Sequence, residues 1–167
     1  TILAKKAAPY TAPGYALLEG LALGGISAFY ETRYPGIVIQ AVGLTFGTLA
    51  CLLAAYRSGL IKATENFKLG IIAATGAIAL LYIVNMVMSM FGHSFGFIHE
   101  GGTVGILFSL VVVTVAALNL VLDFDFIENG VANGSPKYME WYGAFGLLVT
   151  LVWLYLEMLR LLSKLRR

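Results

Sequence analysis

Residues 103–122 read TVGILFSLVVVTVAALNLVL, twenty residues without a charge, followed at once by Asp123. At about 1.5 Å rise per helical residue, such a run covers the roughly 30 Å hydrocarbon thickness of a bilayer. Inside lipid every backbone N–H and C=O has to pair within its own segment, so the run is expected to be a helix. Four further stretches extend the same pattern outward. Residues 12–30 carry one charge, Glu19, and residues 36–56, 69–92 and 141–156 carry none. The composition agrees: 59% of the 167 residues are hydrophobic and 12% are charged, about half the charge of an ordinary soluble domain. Eleven dispersed basic residues against nine acidic ones leave a net charge of +2 and no basic patch for a nucleic acid. Cys51 is the single cysteine and sits in an apolar run, which excludes a disulfide or zinc framework within the chain.

The fold class expected is all-α, a polytopic transmembrane helix bundle with five helices at about 12–30, 36–57, 67–92, 102–126 and 136–163, in a single domain spanning 1–167. The chain starts at Thr1 with no signal peptide, and a preceding segment is expected. Thr64 is the expected N-cap of the third helix, and Ser135-Pro136 the expected N-cap and first-turn proline of the fifth. Gly20/Gly24, Gly43/Gly47 and Gly70/Ala74 have the spacing that lets membrane helices approach closely. Lys5, Lys6, Arg57, Lys62, Lys68 and Lys137 fall on one side of the membrane, side 1. Arg33, Arg160, Lys164, Arg166 and Arg167 fall on the other, side 2. The totals nearly balance, while the internal loops alone favour side 1 as cytoplasmic.

Ionisable groups among apolar helices are the candidate functional residues, because they are expensive there. Toward side 1 lie Glu19, Asp123, Asp125 and the guanidinium of Arg57. Neighbouring carboxylates with a nearby arginine suit either a pH switch or a cation site. The alternative is that Asp123 and Asp125 merely mark where a helix emerges into water. Their spacing of two points them in different directions, so at most one faces the bundle core easily. Toward side 2, Glu157, Asn85 and Gln40 would share one depth, although Glu157 also has Arg160 at i+3 as a local partner. Asn119 is expected to bond across helices. His93, His99 and Glu100 flank a glycine-rich loop without metal-ligand spacing. DFDFIENG, residues 123–130, lacks the glycine and ligand positions of a calcium loop. Met86, Met88 and Met90 alternate around their helix and read as packing. No metal site, cofactor or catalytic constellation is visible, so no enzyme is expected.

YPGIVIQAVGLTFG (34–47), AALNLVLDFDFIENG (116–130) and AFGLLVTLVWLYLEMLRLL (144–162) resemble the Bax inhibitor-1 (TMBIM) family, in its bacterial YccA-like branch. The resemblance runs from about residue 14 to the C-terminus. It implies a seven-helix fold of which this chain resembles helices three to seven, so two N-terminal helices would be lacking. It also implies a cytoplasmic side 1, a bacterial inner membrane, and a pH-sensitive calcium leak. The family's sensor is a pair of aspartates with an arginine latch. Asp123 falls on the first aspartate and Thr150 on the place of the second. Glu157, two turns further on, is no equivalent. The latch arginine would precede the third helix, where the chain has only Lys5 and Lys6. The family's sensor is thus incomplete here, and Glu19 or Asp125 would stand in by depth as the acid beside Asp123. The expected function is therefore a pH-sensitive cation (calcium) leak channel or transporter. Asp123, Asp125, Glu19 and Glu157 would serve as sensor or ion pathway, with Arg57, Thr150, Asn85 and Gln40 as latch or polar partners. The alternative is a non-conducting accessory or regulatory subunit of a membrane protein complex. Calcium enters as the transported ion, and the lipid bilayer is the expected partner.

Overall fold

The computed structural model describes residues 5–96 and 102–166. A 3₁₀ turn at Lys5–Ala7 leads into five long helices: α1 (Ala8–Arg33), α2 (Ile37–Arg57), α3 (Glu65–Met90), α4 (Thr103–Ala132) and α5 (Tyr138–Leu165). Among the described residues there is no strand. Four of the helices, α2 to α5, are long and apolar enough to cross a membrane. The first expected span, 12–30, does not reach that standard. In α1, Glu19, Pro13 and glycines 14, 20, 24 and 25 dilute the hydropathy of a helix whose 26 residues would suffice by length. His99 and Glu100 lie outside the described residues.

The helix ends follow from local chemistry. The Thr64 side chain accepts a hydrogen bond from Phe67 N at 3.2 Å and caps α3, leaving Glu65 against the positive end of the helix. Between α1 and α2 the Glu31 carboxylate accepts from the amides of Gly36 (2.7 Å) and Val38 (3.2 Å), so an acid from one helix satisfies the free N–H groups of the next. Gly36 takes φ +83° there, a left-handed conformation that favours glycine. At the α4–α5 junction the expected cap is corrected. Ser135 N bonds Gly130 O and Gly134 N bonds Val131 O, with Gly134 at φ +63°. Ser135 therefore closes the end of α4, and α5 begins two residues later than expected, with Lys137 as an N-cap lacking a side-chain bond.

The most extensive packing is between α5 and α4; α5 also lies against α1 and α2, and α3 rests on α4. Leu154, Met158 and Leu159 of α5 interlock with Ala116, Leu120 and Phe124 of α4 and with Ile37 and Ala41 of α2. A second cluster joins Ile78 of α3 to Val112 and Val115 of α4. Asn119 Nδ2 donates to Thr75 Oγ1 at 2.9 Å, so its expected bond across helices is present and fastens α3 to α4. The outer faces of α1 to α3 expose Leu17, Ile39, Phe46 and Leu80, which costs nothing against lipid tails.

The glycines of the small-residue motifs do not pack as their spacing suggested, although Ala74 of the Gly70/Ala74 pair lies against the Ile78 cluster. A Cβ added at Gly20, Gly24, Gly43, Gly47 or Gly70 would meet nothing within 4 Å. The spacing fixes a helix face but not the partner of that face. The close approach occurs instead on α5. A Cβ at Gly143 would sit 3.2 Å from Ile127 Cγ1, and one at Gly146 would sit 3.8 Å from Asp123 Oδ1.

Two outcomes follow for thermal unfolding in detergent. Gly143→Leu overpacks the α4–α5 contact and is expected to destabilise by about 1–3 kcal/mol, whereas Gly47→Ala, in open space, is expected to leave the midpoint unchanged or raise it. Glu31 is held below its ordinary carboxylate value by the Gly36 amide first, then by the Val38 amide, with Arg166 adding a smaller attraction. Its contribution is thus fully present above the ordinary value and is lost as the pH falls through the depressed one. The midpoint gap between wild type and Glu31→Ala is expected at neutral pH and closes in acid; a gap independent of pH would contradict this.

Candidate functional site

α4 does not stop near residue 126 but continues to Ala132. Phe126 stacks near Tyr142 and Phe124 near Tyr56, so apolar partners carry the helix through a stretch whose acids suggested an exit into water. Asp123 and Asp125 consequently lie inside the helix rather than at its end. Asp123 is about 14 Å from the C-terminus of α4 along the axis.

The two aspartates diverge. Asp123 turns toward α5, where its Oδ1 lies over Gly146 and the Thr150 hydroxyl faces the carboxyl. Its Oδ2 is buried and has no hydrogen-bond partner. Among the described residues no salt bridge includes Asp123. Thr150, itself buried, donates to Gly146 O at 3.1 Å. A hydroxyl has one hydrogen, so the bond from Thr150 to Gly146 O competes with one to Asp123. A Cβ at Gly146 would lie 3.8 Å from Asp123 Oδ1, in ordinary van der Waals contact, so the carboxyl rests directly against this turn of α5.

Asp125 turns toward α3 and pairs with Lys68 Nζ at 2.7 Å while accepting from Asn129 at 3.0 Å. Glu128, one turn further, accepts from the Tyr56 hydroxyl of α2. Arg57 is exposed and lines a groove of about 480 Å³ with Tyr56, Glu128, Phe124 and Leu147. It forms no salt bridge among the described residues, so it is not latched to Asp123 in this conformation. Glu19 interacts with Tyr15 of its own helix, whose ring meets Phe145 of α5 at 4.9 Å. The expected side-1 cluster is thus split among separate partners, and Thr150 is the one candidate placed against Asp123.

The side-2 group is also split. Asn85 Oδ1 accepts from Phe95 N at 2.8 Å and organises the end of α3. Gln40 accepts from Arg166 at 2.8 Å, and the same guanidinium donates to Pro35 O at 2.7 Å, clamping the α1–α2 turn to the end of α5. Glu157 is 3% exposed. It pairs with Arg160 at 3.1 Å and accepts from Tyr82 of α3 at 3.0 Å. Its other oxygen, Oε2, is buried without a partner. Lys164, read from sequence only as a basic residue of side 2, is 1% exposed. Its Nζ donates to Gly105 O (3.1 Å) and Ser109 Oγ (2.8 Å) of α4. Tyr82 and Lys164 are the residues that sequence reasoning missed. The signal was the heptad spacing of Gly143, Thr150, Glu157 and Lys164, small or polar positions on one face of an otherwise apolar helix. Among the described residues no three His, Cys, Asp or Glu side chains converge on a metal position.

The model of the family described as Bax inhibitor 1 like matches residues 1–167. The chain belongs to the Bax inhibitor 1-like family. With four helices able to span a membrane, it is an integral membrane protein. No curated protein and no solved structure matches it. In this Bax inhibitor 1-like protein, the two positions that the sequence resemblance paired, Asp123 and Thr150, face each other across α4 and α5.

Proposed function

We propose that this protein is a pH-sensitive cation leak channel or transporter, with calcium as the transported ion, and that Asp123 is its control point. The observation that carries the reading is the buried Asp123 Oδ2, without a partner, on the seam between the two most tightly packed helices. A carboxyl there has two states with different needs. Ionised, it calls for a donor, and the Thr150 hydroxyl faces it. Protonated, it brings its own hydrogen and leaves Thr150 bonded to Gly146 O. Proton binding thereby favours one α4–α5 packing over another, and a change at Asp123 becomes a change in helix contact. We place the protein in a bacterial inner membrane, in the YccA-like branch, on the strength of the sequence resemblance. Transport needs no cofactor and no catalytic step in this reading.

A second reading, a non-conducting accessory or regulatory subunit, is favoured by Thr150 itself. Thr150 stands where the resemblance expects a second aspartate, so a single carboxylate occupies this part of the seam.

Calcium-dye fluorescence in liposomes carrying the purified full chain separates the two. The leak reading expects flux that changes across the neutral pH range, an Asp123→Asn variant whose flux no longer follows pH, and a Thr150→Asp variant with larger calcium flux and a steeper pH response. An Asp123→Asn profile superimposable on wild type would remove Asp123 from the role. Absence of flux at every pH would favour the subunit.

A further inference from the structure

The polar face of α5 does not end at Asp123. Thr150, Glu157 and Lys164 recur every seven residues and are all buried, so they lie along one stripe about 21 Å long. Thr150 faces α4 at Asp123, Glu157 meets α3 at Tyr82, and Lys164 meets α4 at Gly105 and Ser109. The stripe therefore continues the Asp123 seam toward side 2.

Within it, Glu157 is satisfied on one side only. Tyr82 Oη and Arg160 Nη1 both donate to Oε1, at 3.0 and 3.1 Å, while Oε2 is buried with nothing bound. A pair whose purpose was to neutralise Arg160 would gain most by a two-pronged contact using both oxygens. Leaving one oxygen of a buried carboxylate unmatched is costly, because the group has lost its water without gaining a donor. Arg160, by contrast, has a second resting place. It donates to Tyr82 Oη at 2.8 Å and lies 5.3 Å from the centre of the Tyr82 ring, an attraction between cation and aromatic face that survives loss of the carboxylate. Among the described residues Glu157 has one salt bridge, to Arg160, and residues 103–122 of the adjacent α4 bring no charge.

We propose that Glu157 is a second cation-coordinating carboxylate, in series with Asp123, and that in this conformation Arg160 occupies it as a tethered counter-ion. A divalent cation arriving along the seam takes Oε2 and then Oε1, while the guanidinium moves onto the Tyr82 ring and hydroxyl. The net charge around Glu157 then determines passage independently of the proton on Asp123. The purpose of the site rests on the leak reading, but its existence is testable without flux.

The test is labelling of Glu157 by a hydrophobic carbodiimide, read by peptide mass spectrometry. The full chain is held in vesicles of phosphatidylcholine and phosphatidylglycerol, with and without calcium chloride, and Glu157→Gln marks the background. Arg160→Gln is expected to raise labelling at Glu157 severalfold, calcium is expected to suppress that labelling, and calcium flux is expected to exceed wild type. Tyr82→Phe, a milder change that keeps the salt bridge, is expected to give intermediate labelling that calcium also suppresses, and it serves if Arg160→Gln fails to fold. Labelling of Glu157 that calcium does not alter in either variant overturns the proposal. Calcium-protected labelling in vesicles that never leak would retire the leak reading while supporting a cation site at Glu157.

Discussion

A carboxyl enclosed between two helices must be met by a donor or carry its own proton, and in this protein that demand falls on the contact between α4 and α5. The demand arises because Asp123 lies against Gly146 of α5 and because Thr150, one turn on, has a single hydrogen already engaged by its own backbone. An apolar seam would have one best packing. Under the leak reading proposed above, a seam containing a carboxyl with an unmatched oxygen has two, selected by a proton. The rest of the bundle is the frame that holds this seam together.

That frame is built around α5. Its apolar residues interlock with α4 and α2, its Tyr155 hydroxyl bonds Ser27 of α1 at 2.6 Å, and Arg166 clamps its far end to the α1–α2 turn. α3 is attached more lightly, through Asn119–Thr75, the Ile78 cluster and the Tyr82–Glu157 bond. Since lipid is as apolar as the side chains it replaces, these few polar ties and close packing hold the helices together in place of hydrophobic exclusion. The outermost charged pair, Lys68 with Asp125, is partly exposed; a pair of this kind contributes about 0–1 kcal/mol and positions the start of α3 rather than holding the core.

The fold class was legible because it depends on composition and run length alone. The Thr64 cap, the Asn119 bond and the Glu157–Arg160 pair were legible for a related reason: each is local, or needs only one polar group among apolar ones. What sequence did not show is register between helices. GxxxG spacing at Gly20/Gly24 and Gly43/Gly47 could not tell a packed face from a lipid-facing one, and the close approach belongs to Gly143 and Gly146. Asp123 and Asp125 could be separated by angle, but not assigned to α5 and α3. Glu157, Asn85 and Gln40 could be placed at similar depth, yet each turned to a different neighbour. Lys164 was hidden among terminal basic residues, because its burial is decided by the start of α4, more than fifty residues earlier.

In the proposed leak reading, the proton on Asp123 controls passage. It is tested most directly by infrared difference spectroscopy of the reconstituted protein, with the Asp123 carboxyl band assigned by its loss in a variant, titrated beside calcium flux on the same vesicles. The band and the flux are expected to change with a common midpoint. A carboxyl that keeps one protonation state while flux rises and falls, or that titrates at a clearly different pH, would contradict it.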